Sequence, residues 1–408
     1  MSTADALPLR HHPAFRRFWL ARVATAMAYQ MTGVAVGWQV YERTGSALAL
    51  GLIGLAQFLP ALLLVLVTGQ VADRFDRRRI ARTCQWVQCV AALLLASGSA
   101  GGWLPVAGIY ALIVLIGAAR AFEMPTMQAL LPALVPAGWL GRAVAASAAA
   151  MQTAIILGPA LGGVIYVAGP AVVYTCAAAG FLVASLLVQG VRYETPPQRV
   201  REPLGLASLF AGIAYIRSRP VVLGAISLDL FAVLLGGATA LLPIYARDIL
   251  HAGPWALGLL RSAPAAGAIV LSVLLAYVPL QRHVGRIMFA SVALFGVATI
   301  VFALSSSIPL SLGALFVLGA ADMISVVIRG ALVQLETPDA MRGRVSAVNS
   351  VFIGASNQLG EFESGLTAAW FGVVPAALLG GVGTLLVVAL WMRWFPALRQ
   401  RDRLTAAG

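Results

Sequence analysis

The chain has 408 residues, 60% of them hydrophobic and 11% charged, with a mean hydropathy of +0.90. Soluble domains carry about 25% charged residues, and a soluble chain this apolar would expose large sticky patches, so an ordinary soluble protein is excluded. The net charge of +13 does not point to nucleic acid, because the basic residues, all arginine, sit in short clusters between apolar runs.

Twelve apolar runs are expected to cross a bilayer as helices, each near the ~20 residues that span its hydrocarbon core. In chain order they are 17–41, 48–72, 79–98, 106–132, 143–166, 170–190, 220–246, 255–280, 287–306, 310–335, 344–369 and 373–395. Arg10, Arg16 and Arg17 precede a first run too long for the apolar core of a secretory signal, so it is read as a retained span. An even number of spans puts both termini on one side. Nearly all arginines outside the spans then fall on that side, among them Arg74 to Arg82, Arg142, Arg192 to Arg219 and Arg393 to Arg403. Only Arg43 and Arg247 fall opposite, which predicts a cytoplasmic location for both termini.

Residues 191–219 are polar and proline-bearing at their start, as linkers are. They divide the chain into a first half, 1–190, and a second, 220–408. Within the linker, Leu206, Leu209, Phe210, Ile213 and Ile216 recur at helical spacing, which predicts a short amphipathic helix over 205–217 at the membrane surface. The halves align in one register: Gly117–Ala119 with Gly319–Ala321, Gly141-Arg142 with Gly343-Arg344, and Leu157-Gly158 with Leu359-Gly360. Two parallel six-span repeats suit a substrate site near mid-membrane. Cys84, Cys89 and Cys176 lie in apolar runs without metal-ligand spacing and are read as small buried hydrophobes.

Between spans 2 and 3 runs Gly69-Gln70-Val71-Ala72-Asp73-Arg74-Phe75-Asp76-Arg77-Arg78-Arg79. A glycine, an aspartate-arginine pair four residues on and a closing cluster of arginines resemble the loop signature of the major facilitator superfamily. Asp76 stands where that family usually has glycine. This form, with Gln334 to Val345, resembles the branch that contains the enterobactin exporter and macrolide-efflux-like proteins. The resemblance implies an all-α integral membrane fold of twelve helices in two pseudo-symmetric six-helix halves, acting as a secondary transporter. It also implies a conformational latch, with Asp73 against the start of span 11. Its parts are Gly69, Asp73, Arg74, Arg77, Arg78, Gly343 and Arg344. An aspartate near a helix N-terminus is electrostatically favoured.

On span 5, Gly158-Pro159-Ala160-Leu161-Gly162-Gly163 is similar to the pattern that marks antiporting exporters of this family. The plain physical reading is a seam of small residues for close helix packing, with proline permitting a bend. On span 4, Arg120 matches an exporter arginine to which the family attaches proton handling, but Glu123 and Met124 replace the residues that usually follow.

Charges inside a span are costly, and mark function or pairing. Arg120 and Glu123, at i and i+3, can face each other and neutralise. Asp229 lies in span 7 with no basic residue one turn away on its own helix, so an isolated acid able to carry a proton is expected there. Asp322 takes the repeat position of Arg120, and Arg329 follows on the same span. Glu361 and Glu363 take repeat positions of Pro159 and Leu161, and suggest a cation site or a latch to an arginine. The chain has no lysine, hence no P-loop, and no His-Glu-x-x-His. No cofactor or metal is expected. The sum is a proton-coupled exporter of an amphipathic small molecule such as a siderophore or drug, monomeric, in a bacterial inner membrane. An importer of the same fold, a membrane enzyme acting on lipid, and a channel are the alternatives.

Overall fold

A computed structural model describes residues 12–191, 206–278, 280 and 282–404. Among these, the regular elements are all helical. The long ones are α1 (Pro13–Thr44), α2 (Ala47–Arg74), α3 (Arg77–Ala100), α4 (Val106–Leu130), α5 (Leu140–Tyr166) and α6 (Pro170–Gln189). After α7 (Leu206–Ser218) come α8 (Pro220–Leu235), α10 (Pro254–Tyr277), α11 (Val284–Leu304), α12 (Ile308–Glu336), α13 (Asp339–Phe371) and α14 (Val373–Trp394). The short helices α9 (Leu242–Ile244) and α15 (Pro396–Arg399) complete the described helices besides isolated tight turns.

Ten helical stretches are long and apolar enough to cross a membrane. The other two long helices, α1 and α13, have 32 and 33 residues. They are more polar, carrying Arg16, Arg17 and Arg22 in one and Arg342, Arg344, Glu361 and Glu363 in the other. The expected helix within the linker appears as α7, one residue later than anticipated; 192–205 of the expected linker lie outside the described residues. Cys84 and Cys89 are buried, but Cys176 is exposed, so its thiol faces outward from α6 rather than into the core.

Span 7 is not the single helix expected over 220–246. It stops at Leu235, and Gly236 and Gly237 lead into a tight turn over Ala238–Leu241, then α9, then a wide π-helical turn over Tyr245–Ile249. Glycine tolerates this change of path, and Pro243 lacks the N–H a regular helix would use. The break is covered by protein. A Cβ on Gly237 would run into the backbone of Gly360, and Gly360 itself lies against the carbonyls of Val233 and Leu234. The Thr384 hydroxyl donates to the Ala232 carbonyl at 3.2 Å.

By contacts the chain forms two compact units, one of residues 1–39 with 59–203, the other of 40–58 with 204–408. In the first, Phe15, Phe18, Ala81, Met127, Leu130, Ala184 and Val188 join α1, α3, α4 and α6 in one apolar core. In the second, Leu228, Met288, Phe289, Ile328, Leu332, Val387 and Trp391 join α8, α11, α12 and α14. These are the corresponding spans of the two sequence repeats.

Candidate functional site

The second unit holds a charged cluster inside its apolar core. Arg329 of α12 reaches Asp229 of α8, with Nη1 3.1 Å from Oδ2. The same nitrogen donates to Oδ1 of Asn349 on α13 at 3.4 Å. Asp229 and Arg329 are 5% and 4% exposed, so neither charge is compensated by water. A buried ion pair persists only with good geometry and further hydrogen bonds. Asp229 is therefore not the isolated acid expected from span 7. Its partner comes from a helix a hundred residues on, which spacing within one helix cannot reveal. Asp322, two turns before Arg329, lines a small cavity with Asp229, Ser325, Val292 and Phe295. Asp322 is thus within electrostatic reach of both Asp229 and Arg329, while the direct ion pair is between Arg329 and Asp229.

Glu361 of α13 lies apart from this cluster. It packs against Gly54 of α2, where a Cβ would sit 2.8 Å from its own, and Arg261 of α10 is within electrostatic reach. Glu363, two residues on and so on the other side of α13, accepts from the Thr367 hydroxyl at 2.8 Å. In the same unit, the Tyr41 hydroxyl donates to Asp248 in the π-helical turn, and Arg247 stands 5.8 Å from the Tyr41 ring.

The first unit has its own buried polar cluster. Glu123 of α4 accepts one amide N–H on each oxygen, from Gln85 at 3.0 Å and from Gln88 at 2.7 Å, both on α3. Gln85 also donates to Thr25 of α1 at 3.3 Å. Arg120 does not pair with Glu123 as their spacing suggested. Its guanidinium lies over the Tyr29 ring, 3.7 Å from the centroid, a cation–π contact. The two glutamines hold Glu123 from a neighbouring helix, leaving Arg120 to the aromatic face of α1.

The hairpin after α2 is built around Asp76. Its carboxylate accepts the backbone N–H groups of Arg78 at 2.9 Å and Arg79 at 3.4 Å, capping α3. The residue that departs from the family pattern thus starts the next helix. Arg77 donates to the carbonyls of Ala72 at 3.3 Å and Ala129 at 3.0 Å, and Arg78 to that of Val191 at 3.3 Å. Arg74 is exposed, and open space surrounds Gly69 and Gly343. Arg344 lies 3.7 Å from the sulfur of Met341. The side chain of Asp73 lies outside the described residues. On α5, Gly158, Pro159, Gly162 and Gly163 are buried. A Cβ on Gly158 would meet the Gln30 side chain at 2.6 Å, and one on Gly162 would meet the Met31 Cα at 3.0 Å. Among the described residues no three His, Cys, Asp or Glu stand together as a metal site.

The sequence profile of the transmembrane secretion effector family, a branch of the major facilitator superfamily, matches residues 3–407. The chain belongs to this family. It is a multi-pass membrane transporter, not an enzyme. It is 28% identical to the enterobactin exporter EntS of Citrobacter koseri, over 96% of this chain and 94% of the relative. It is 30% identical to the multidrug efflux pump Tap of Mycobacterium tuberculosis (strain ATCC 25618 / H37Rv), over 96% of this chain and 95% of that protein. Among solved structures, a bacterial homologue of the human lysosomal transporter Spinster shares the fold with a TM-score of 0.75 at 14% identity, covering 97% of this chain and 99% of the other. A bacterial homologue of the iron transporter ferroportin does so with a TM-score of 0.71 at 17% identity, covering 98% and 100%.

Gln85 and Gln88 escaped the sequence reading. Their signal is two glutamines at i and i+3 in an otherwise apolar run, where a buried amide needs a partner.

Proposed function

We propose that this transporter is a proton-coupled exporter of an amphipathic small molecule, working by alternating access in a bacterial inner membrane. The observation that carries proton coupling is the buried Asp229–Arg329 pair with a second carboxylate, Asp322, on the same cavity and within electrostatic reach of both. One guanidinium balances one carboxylate. The second acid is neutral only with a proton or when the pair rearranges, and such a charge imbalance is the means by which a carrier senses a proton gradient. Export is supported by the relatives, one named an enterobactin exporter and one a multidrug efflux pump. The glycine-proline pattern on α5 supports it too. A siderophore or drug-like compound is the substrate class those relatives suggest. The reading includes twelve spans, halves at 1–190 and 220–408 joined by 191–219, cytoplasmic termini, and a monomeric carrier. It also gives Gly69, Asp73, Arg74, Arg77, Arg78, Gly343 and Arg344 a part in switching between access states.

The test is transport in proteoliposomes across a panel of fluorescent amphipathic drugs, with and without a pH gradient. Movement driven by the gradient and lost in Asp229→Asn and Asp322→Asn is expected. Gradient-independent movement in the wild type would remove proton coupling, and uptake against the exporter polarity would favour the importer.

A further inference from the structure

The polar cluster of the first unit has more positive charge than it can balance. Arg22, Thr25 and Tyr29 stand at i, i+3 and i+7 on α1, and so share one face of that helix. Thr25 and Tyr29 touch Gln85 and Arg120 respectively, which fixes that face toward α3 and α4. Arg22 lies on it, within electrostatic reach of both Arg120 and Glu123. The cluster therefore contains two guanidinium groups and one carboxylate. That carboxylate is already engaged by amide donors on both oxygens.

What is left unsatisfied is specific. The Nε of Arg22 is buried without a hydrogen-bond partner among the described residues, and so are the carbonyl oxygens of Gln85 and Gln88, whose side chains are fully buried. Two cations against one carboxylate leave an excess of positive charge that is costly away from water, and an unpartnered buried donor needs an explanation. A guanidinium presents a planar fork of N–H donors matched to carboxylate, sulfonate or phenolate oxygens. In the same cluster the unpartnered carbonyls of Gln85 and Gln88 can accept from a hydroxyl or amide of that molecule.

We infer that Arg22, with Arg120 beside it, is a recognition site for the acidic group of an organic anion. This deepens the exporter reading by naming the substrate class, and it rests on that reading only for transport, not for binding. Glu123 then opposes the anion electrostatically and sets its affinity. Gln85 and Gln88 act as positioning residues that hold Glu123 back.

The test uses the full-length protein in lipid nanodiscs and two probes on one aromatic frame, 1-pyrenesulfonate and 1-pyrenemethylamine. Binding is read by energy transfer from tryptophan, corrected with empty nanodiscs. Saturable binding of the sulfonate is expected, weakened at least tenfold in Arg22→Gln and partly kept in Arg22→Lys. Glu123→Gln, which removes the competing negative charge, is expected to tighten sulfonate binding several-fold and weaken the amine. That gain cannot come from misfolding. Unchanged sulfonate affinity in a monodisperse Arg22→Gln, no saturable sulfonate binding in the wild type, or weaker binding in Glu123→Gln would each overturn the assignment. If the sulfonate binds in the expected order but no gradient drives it across proteoliposomes, exporter coupling fails and the anion site stands.

Discussion

Removing Arg329 should harm the second unit more than removing Asp229. The ion pair measures 3.1 Å and both partners are nearly sealed from solvent. Breaking a buried pair from one side leaves an uncompensated charge and typically costs about 3–5 kcal/mol. Here the two sides are not equivalent. Asp229→Asn leaves Arg329 with Asp322 still lining the same cavity and Asn349 still at 3.4 Å. The guanidinium keeps a counter-charge, so the loss should fall at or below the lower end of that range. Arg329→Gln strands two carboxylates together in an apolar core, and should reach the upper end or recruit protons to both acids. The double variant Asp229→Asn, Arg329→Gln should recover part of the loss, since only Asp322 then remains charged. Thermal unfolding of the four purified proteins in one detergent, at one scan rate because such unfolding is often irreversible, gives the order of midpoints. Wild type should be highest, then Asp229→Asn, then the double variant, then Arg329→Gln. If Asp229→Asn unfolds below Arg329→Gln, Asp322 does not share the guanidinium and the proton-coupling argument loses its basis.

Leucine should be poorly tolerated at both Gly158 and Gly162, because the first meets the Gln30 Cβ at 2.6 Å, an atom fixed to its backbone, and the second the Met31 Cα at 3.0 Å. Overfilling should cost about 1–3 kcal/mol, read as midpoint and as cysteine accessibility on the two membrane faces. Asp76→Ala should lose a helix cap worth about 1 kcal/mol, whereas Asp76→Asn should keep most of it; equal midpoints for the two would contradict the capping role. Gly54→Ala should press on Glu361, with a new Cβ 2.8 Å from its Cβ; transport at wild-type rate would mean that α13 yields there freely. Asp73→Asn should slow transport while expression and probe binding hold, and full transport would remove that residue from the switching machinery.

Helix positions were legible because hydropathy tracks bilayer thickness, a constraint set by the solvent rather than by partners. The interruption at Gly236 and Gly237 was not, since glycine is common in membrane helices and nothing local distinguishes a packing glycine from a breaking one. Asp229 stood out as a charge in an apolar run, yet its partner Arg329 could be found only by folding the chain. The same holds for Glu123, whose neighbour at i−3 turned to Tyr29 while two glutamines of α3 took the carboxylate. Asp76 carries a local signal, since an aspartate just before a helical run is a cap, at the position where the family pattern has glycine.

The broken span also governs how this segment enters the bilayer. α8 has 16 residues, which at 1.5 Å each rise only about 24 Å, short of a hydrocarbon core of about 30 Å. The translocation machinery cannot retain it as a finished crossing until Ala238–Ile249 has joined it. The glycine turn between them carries backbone polar groups that lipid cannot satisfy. Span 7 thus becomes comfortable in the membrane only after Gly360 and Thr384, synthesised more than a hundred residues later, arrive to cover it.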